Sequence, residues 1–502
     1  MNINLLDYLD GSVERFPEKV AFVGDNEQIT FRELKNKAQI IGTYLCKITE
    51  KNEPISVITE KGIETIIVYL GVLYAGCFYA AVDKEMPATR ISTIIELTDA
   101  GIILTDDKSV ETAEKFSAGR KVVTVGAILN DAKIDESILS SRRTSMIDTD
   151  PAYMIFTSGS TGVPKGVVGS HRALIDYIDA ITDAYDLSDA DILGNQSPLD
   201  YIAGVRDIYL PLKNGACTYL IPKVLYGRPA ELFDFLNENK INTIFWVAPA
   251  LSLCAELGTF KEVIPQYLNK IIFTGSVMPC KHLRIWQDNI PDALYVNQYG
   301  PTEITASCTY YVVDHLVEAN ETLPIGKPFV NTEILLLDED GQLVKDGEQG
   351  EICVRGTSLA LGYYKQPEKT KEVYVVNPVN KMYEELIYKT GDIGRLNEDG
   401  NIEFFGRIDN QIKHMGHRVE LSEIEVAAGG IEALEHCVCL YHFDKQNIYL
   451  FYVGEATNRD IAIHLRNVLP AFMVPRKFVK LDEMPLLFNG KYDRNKLKEL
   501  MK

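Results

Sequence analysis

Hydroxyls, glycines and one lysine crowd into the stretch IFTSGSTGVPKGVV at 155–168. Thr157, Ser158, Gly159, Ser160, Thr161 and Gly162 run together. Pro164, Lys165 and Gly166 follow, and apolar residues close both ends. Glycines let a backbone approach its ligand closely, hydroxyls and amide N–H groups donate hydrogen bonds, and a lysine supplies charge. That chemistry suits an anion, and phosphate above all. A Walker A loop is excluded, because it needs Gly-Lys-Ser/Thr in succession. Here Lys165 stands between Pro164 and Gly166. Proline also keeps its predecessor out of the α region. The stretch reads as a phosphate loop of another kind, against the plainer alternative of a Ser/Gly turn.

Other short stretches carry complementary chemistry. NQYGPTE (297–303) sets Tyr299, Gly300, Thr302 and Glu303 after a strand-like run. An aromatic can stack on a base, a hydroxyl can touch a phosphate, and a carboxylate can hold Mg²⁺. YKTGD (388–392) is read as a tight turn presenting Asp392 to a pair of ribose hydroxyls. GRIDNQIKHMGHRVELSEIE (406–425) and NGKYDR (489–494) offer Arg407 and Lys491 as cations. Taken singly, each is also consistent with a salt-bridged turn.

These residues need elements to position them. TFRELKNKAQIIGTYLCKI has apolar residues at helical spacing, with Thr30 and Glu33 placed as a capping box. PISVIT, CFYAAVD and GIILTD read as short buried strands between helices, which indicates α/β layers. After the Gly/Ser loop the alternation resumes with TYLIP, the helix PAELFDFLNENK, then NTIFWVAP, NKIIFTG and ALYVNQYGPTE. From about residue 325 the texture becomes turn-rich β, as in NTEILLLDEDGQLVKDGEQGEICVRG. The expected fold class is α/β: a large N-terminal part of layered α/β subdomains plus a β-rich subdomain, then a small α+β C-terminal domain. The boundaries fall at 1–405, a hinge at 406–411, and 412–502.

The 502 residues exceed one simple core. A net charge of −20 argues against nucleic acid or an anionic membrane as partner. No basic, apolar leader opens the chain and no run of about 18 uncharged apolar residues occurs, so a cytoplasmic protein is expected. Nine scattered cysteines suit a reducing compartment. HCVC (436–439) lies in an alternating apolar run and reads as a half-buried strand rather than a metal site.

Taken in order, the motifs LTDAGIILTD, the Gly/Ser loop, YGPTE, GEICVRG, YKTGD, GRIDNQIK and NGKYDR give a resemblance that spans the chain. The chain resembles the AMP-forming, adenylate-forming superfamily of acyl-CoA synthetases, luciferases and adenylation domains of non-ribosomal peptide synthetases. SHRAL and LPAFMVPRKFV are most similar to amino-acid adenylation domains and D-alanine–carrier-protein ligases. The resemblance implies that a carboxylate attacks the α-phosphorus of Mg·ATP, and that a thiol then displaces AMP. It implies that residues 157–166, with Lys165, close over the β- and γ-phosphates, and that Tyr299 stacks on adenine. Thr302 and Glu303 would meet the α-phosphate and Mg²⁺, and Asp392 and Arg407 the ribose. Lys491 would bridge the two reacting groups, and Asp409 would be the pivot about which a mobile C-terminal domain swings, bringing Lys413 toward the thiol. The chain ends at KLKELMK without a carrier segment, so the acceptor is expected on a separate phosphopantetheinylated carrier protein, or as CoA.

SPLDYIAGVRDIY (197–209) departs from the family. In α-amino-acid adenylation domains an aspartate that pairs with the substrate's α-ammonium stands where this chain has Ile202. A buried ammonium without a carboxylate is costly, so a polar, hydroxy, aryl, dicarboxylic or β-amino acid is expected instead. Arg206 replaces a residue that is usually aromatic or small. It either meets a polar or anionic group of the substrate, or pairs with Asp200 or Asp207 and shapes the wall. Asp200 could alternatively receive a displaced amine. Gln298 and Thr274 would add polar groups, while Ala203, Ala250, Ile272, Ala306 and Ser307 would be small or apolar. The competing expectations are an acyl- or aryl-CoA ligase, a D-alanine ligase, and a non-catalytic nucleotide-binding descendant.

Overall fold

Apolar runs of four to six residues, each bounded by polar turns, become the strands of two large sheets. The computed structural model describes residues 2–159, 162–409, 411–443, 445–486 and 492–501. The chain divides into two units. The first comprises Met1–Lys84, Thr98–Phe156 and Gly166–Ile408. The second comprises Glu85–Leu97, Thr157–Lys165 and Asp409–Lys502. Residues 85–97 and 157–165 thus group with the C-terminal residues rather than with the rest of 1–405.

In the first unit a nine-stranded sheet runs in the order Lys327–Pro328, Thr309–Val312, Leu294–Tyr299, Lys270–Thr274, Thr243–Val247, Ile192–Asn195, Cys217–Leu220, Val20–Gly24, Glu27–Thr30. Its middle is parallel and its two margins are antiparallel. Parallel strands lie buried on both faces, which is why NTIFWV and NKIIFT read as unbroken apolar runs. A seven-stranded sheet is centred on Pro54–Ile58, Phe78–Ala81 and Pro151–Thr157. The helix Phe31–Cys46 begins at the expected capping box. Thr30 Oγ1 accepts from the Glu33 N–H at 3.2 Å, and the Glu33 carboxylate accepts from the Thr30 N–H at 3.0 Å. One apolar cluster joins the helices Phe31–Cys46, Ile63–Tyr74 and His171–Ala184 with strands of both sheets. The turn-rich β region forms an antiparallel five-stranded sheet that includes Gln349–Gly356, Leu386–Leu396 and Ile402–Arg407.

In the second unit, Gln411–His414 and His417–Glu420 form a hairpin. Its two turn residues, Met415 and Gly416, have φ of 51° and 82°, the sense that matches strand twist. The helix Leu421–Gly429 follows, then a three-stranded sheet of Leu434–His442, Asn447–Gly454 and Lys477–Lys480. HCVC lies within the first of these strands, with Cys439 fully buried and Cys437 half-buried. Among the described residues no helix is long and apolar enough to cross a membrane.

Candidate active site

The strand Leu294–Tyr299 returns as Thr309–Val312 through a buried turn built on Gly300. A Cβ at Gly300 would lie 2.4 Å from the Ser307 Cα and 2.8 Å from the Ala306 carbonyl oxygen, so only glycine lets the turn close. Thr302–Ile304 form one 3₁₀ turn, and Thr305 and Ala306 follow with φ of 57° and 77°. Two successive non-glycine residues in that region store strain of about 1–3 kcal/mol each. Glu303 is fully buried. Its Oε1 accepts from the Tyr363 hydroxyl at 2.7 Å, and its carbonyl oxygen accepts from the Ala360 N–H and the Tyr374 hydroxyl, each at 2.9 Å.

Asp392 and Arg407 are direct cross-strand partners, and Arg407 Nη1 lies 2.6 Å from Asp392 Oδ1. The Tyr299 hydroxyl donates to Asp392 Oδ2. Burial and the Asp392 charge hold that phenol well above its usual range. The reading of YKTGD as a tight turn is corrected: Asp392 sits inside the eleven-residue strand Leu386–Leu396. Gly391, at φ of 73°, bends the strand locally without ending it, and the Thr-Gly-Asp sequence alone does not separate those outcomes. Tyr299, Thr302, Glu303, Asp392 and Arg407 therefore lie on one strand, the turn after it, and a neighbouring β-sheet.

The helix Gly204–Asn214 carries Arg206, which is 1% exposed. Its Nη1 donates to Gln298 Oε1 at 3.0 Å, and Gln298 Nε2 donates to the Tyr185 hydroxyl at 2.7 Å. The guanidinium carbon lies 5.2 Å from the centre of the Phe245 ring, a cation–π contact. Arg206 makes no ion pair with Asp200 or Asp207. Asp207 accepts from Asn195 Nδ2 and is pushed up to about 6 by burial, against the pull of the Arg206 charge. Asp200 belongs to a different group: burial and Asp83 push it up to about 7, opposed by Lys223 and Lys61. Burial in turn lowers Lys61 to about 8. Ile202, Ile272 and Ala306 pack in one apolar cluster with Tyr177, Tyr185 and Phe245. Ala203 and Thr274 are buried, and Ala250 packs against a second cluster.

In the second unit, Thr157 and Ser158 are buried. Ser158 Oγ donates to the Arg418 carbonyl oxygen at 2.8 Å, and the Gly159 N–H donates to Glu423. A Cβ at Gly159 would meet the Val163 carbonyl oxygen at 2.1 Å, and Gly162 has φ of 78°. Glu423 also pairs with Arg90 at 2.5 Å, both side chains nearly buried. Lys165 opens the strand Lys165–Ser170. Asp409 Oδ1 accepts from the Gln411 N–H at 3.0 Å. Ser160, Thr161 and Lys491 lie outside the described residues.

Among the described residues there is no cluster of three or more acidic, histidine or cysteine side chains that could hold a metal. Mg²⁺ is commonly bound through one or two carboxylates together with substrate phosphates. The buried Glu303 carboxylate, next to Thr302 in the chain, fits that mode and not an all-protein cage. Sequence reading missed Tyr177, Tyr185, Phe245, Tyr363, Arg90 and Glu423. Apart from Tyr177 and Tyr185, which share one helix and its cap, they come from separate helices and strands, and no local spacing marks them.

A family model described as AMP-binding enzyme matches residues 9–364, and the chain belongs to that family. The chain is 32% identical over 495 residues to tyrocidine synthase 1 of Brevibacillus parabrevis, covering 97% of this chain and 44% of that protein. It is 32% identical over 504 residues to bacitracin synthase 1 of Bacillus licheniformis, covering 99% of this chain and 9% of that protein. The chain thus spans less than half the length of these relatives. Among solved structures it is similar to an NRPS protein containing adenylation and PCP domains, at a TM-score of 0.85 and 25% identity, covering 100% of this chain and 84% of that one. It shares its fold with o-succinylbenzoate CoA synthetase from Bacillus subtilis, at a TM-score of 0.84 and 18% identity, covering 99% and 98% of the two chains.

Proposed function

We propose that the chain uses Mg·ATP to convert a carboxylic acid lacking an α-ammonium group into its acyl-adenylate, then passes the acyl group to the phosphopantetheine thiol of a separate carrier protein. One observation carries the nucleotide half of this reading. Tyr299 and Arg407 both donate to Asp392, with Tyr299 and Asp392 buried, next to the turn that holds Glu303. A carboxylate fixed by a guanidinium and a phenol keeps further lone pairs for two ribose hydroxyls. Tyr299, anchored through its hydroxyl, offers its ring to adenine.

In the first step a carboxylate oxygen of the acid attacks the α-phosphorus, and the bond to pyrophosphate breaks. Negative charges converge, so the chain must supply donors and cations where charge accumulates. Thr302 serves the α-phosphate, the 157–166 loop with Lys165 serves the departing pyrophosphate, and Lys491 serves the pair of reacting groups. Glu303 is the residue that would hold Mg²⁺, whose chemistry is neutralisation of phosphate charge. In the second step the thiol sulfur attacks the acyl carbon and AMP leaves, after rotation about Asp409.

The acid preference rests on Ile202, which is 5% exposed among apolar neighbours. An ammonium placed there would be desolvated with no counter-charge. Carrier-protein transfer draws support from the similar structure that contains adenylation and PCP domains, and free CoA from the fold shared with a CoA synthetase. Intact-mass analysis after incubation with ATP, Mg²⁺, acid and either acceptor decides between them. Acylated holo-carrier protein is the expected product, and acyl-CoA formed in its place would contradict the carrier assignment.

A further inference from the structure

Among the described residues Arg206 is the largest charged side chain that is fully buried, and much of its hydrogen-bonding capacity is unused. Its Nη1 reaches Gln298, while its Nε and Nη2 have no partner beyond a contact with the Tyr177 hydroxyl. Two buried hydroxyls lie beside it, Tyr177 and Ser307 Oγ, and neither has a hydrogen-bond partner outside this group. These three side chains form one group. The Arg206 charge, a hydrogen bond with Ser307 and one with Arg206 draw the Tyr177 phenol downward against the rise imposed by burial. Tyr177 is 2% exposed and Ser307 is 2% exposed. Their elements are otherwise unrelated: the helix His171–Ala184, the helix Gly204–Asn214, and the segment after the strained Thr305–Ala306 pair.

Every unused group in this nest can donate, and the guanidinium nitrogens can only donate. Leaving several buried donors unsatisfied is expensive. The two hydroxyls can accept as well as donate and so meet part of this demand themselves, but neither they nor a water supplies charge. A carboxylate offers about four acceptor sites and the compensating charge, and a guanidinium fork matches it in two parallel bonds. Ile202, Ile272 and Ala306 belong to the same apolar cluster as Tyr177.

We propose that Arg206, Tyr177 and Ser307 together bind a second carboxylate of the acid being activated, so that the substrate is a dicarboxylic acid held at its far end. This rests on the reading of the chain as an acid-activating ligase and names the class of acid. Asp207 feels the Arg206 charge but makes no ion pair with it, so a substrate carboxylate would be the directly bonded partner of the guanidinium and would contribute most when water is excluded.

The test is ATP–pyrophosphate exchange by the full chain with three length-matched sets: straight dicarboxylic acids of about three to six carbons, their half-amides, and the corresponding monocarboxylic acids. The informative quantity is the ratio of kcat/KM for a dicarboxylic acid to that for its half-amide. We expect a wild-type ratio of about 10- to 100-fold, the range for a charge-assisted hydrogen-bonded pair. Arg206→Met should bring it close to unity, Arg206→Lys should keep part of it, and Tyr177→Phe and Ser307→Ala should each reduce it severalfold. The wild-type series decides even if a variant fails to fold. Equal or better wild-type turnover of the half-amides or monocarboxylic acids would overturn the proposal while leaving acid activation standing. Loss of both ratio members alike in Arg206→Met would also overturn it, by making Arg206 structural. Exchange supported only by α-amino acids would instead overturn the underlying reading of Ile202.

Discussion

Ile202 and His171 illustrate how one buried side chain can set a measurable property. At Ile202 the proposed acid preference is a matter of charge. Ile202→Asp should lower kcat/KM for the natural acid by at least about tenfold, because a second buried carboxylate would repel an acid entering the pocket. The same change should let some α-amino acid be activated weakly, and a kcat/KM profile across α-amino, β-amino, hydroxy, aryl and dicarboxylic acids would read both effects. His171 concerns stability. It is fully buried, its Nδ1 accepts from the Leu5 N–H at 3.3 Å, and burial aided by the Arg143 charge lowers it to about 4. A base with a depressed folded pKa contributes stability that is present above its unfolded value and lost as pH falls through the folded one. Between pH 7 and 5 the protein should therefore lose about 2 kcal/mol through His171 alone. His171→Asn keeps an acceptor for Leu5 but cannot titrate, so its denaturation curves should lack that part of the pH slope. Identical slopes in wild type and variant would refute the assignment.

At the scale of elements, the turn between Leu294–Tyr299 and Thr309–Val312 has the least freedom. Gly300→Ala would drive a methyl into the Ser307 backbone, which should cost about 1–3 kcal/mol and displace Thr302 and Glu303. Thermal denaturation together with exchange assays should show a lowered melting point and a larger loss of adenylation than of stability. Retained activity at an unchanged melting point would show that the turn tolerates opening. This turn was legible in the sequence because YGPTE is contiguous, and the strand and 3₁₀ turn fall where its composition puts them. The same holds for the Thr30–Glu33 capping box, where the residues in the motif are also the residues in contact. YKTGD was legible in its chemistry and misleading in its geometry. A glycine of positive φ looks the same in a string of letters whether it ends a strand or bends one. Least legible was the surrounding of Arg206. The side chains of Tyr177, Phe245 and Ser307, and Tyr185 through Gln298, gather around it from one helix and its cap, a strand and a turn, and only the packing of the sheet on its helices brings them there.

At the scale of the molecule, the alternation of short apolar strands with amphipathic helices was sufficient for the α/β class, and the switch to Asp-Gly and glutamate-rich turns was sufficient for the β-rich region. Composition could not reveal that Glu85–Leu97 and Thr157–Lys165 group with the C-terminal residues. That grouping depends on long-range contacts such as Arg90 with Glu423 and Ser158 with Arg418. The central claim is that the chain forms adenylates from acids without an α-ammonium group. It is tested most directly by ATP–pyrophosphate exchange across the acid panel with Mg²⁺ present. The expected result is strong exchange dependent on an acid of that kind, and none above background with simple L- or D-α-amino acids. Robust exchange with a simple α-amino acid, undiminished in Ile202→Asp, would contradict it.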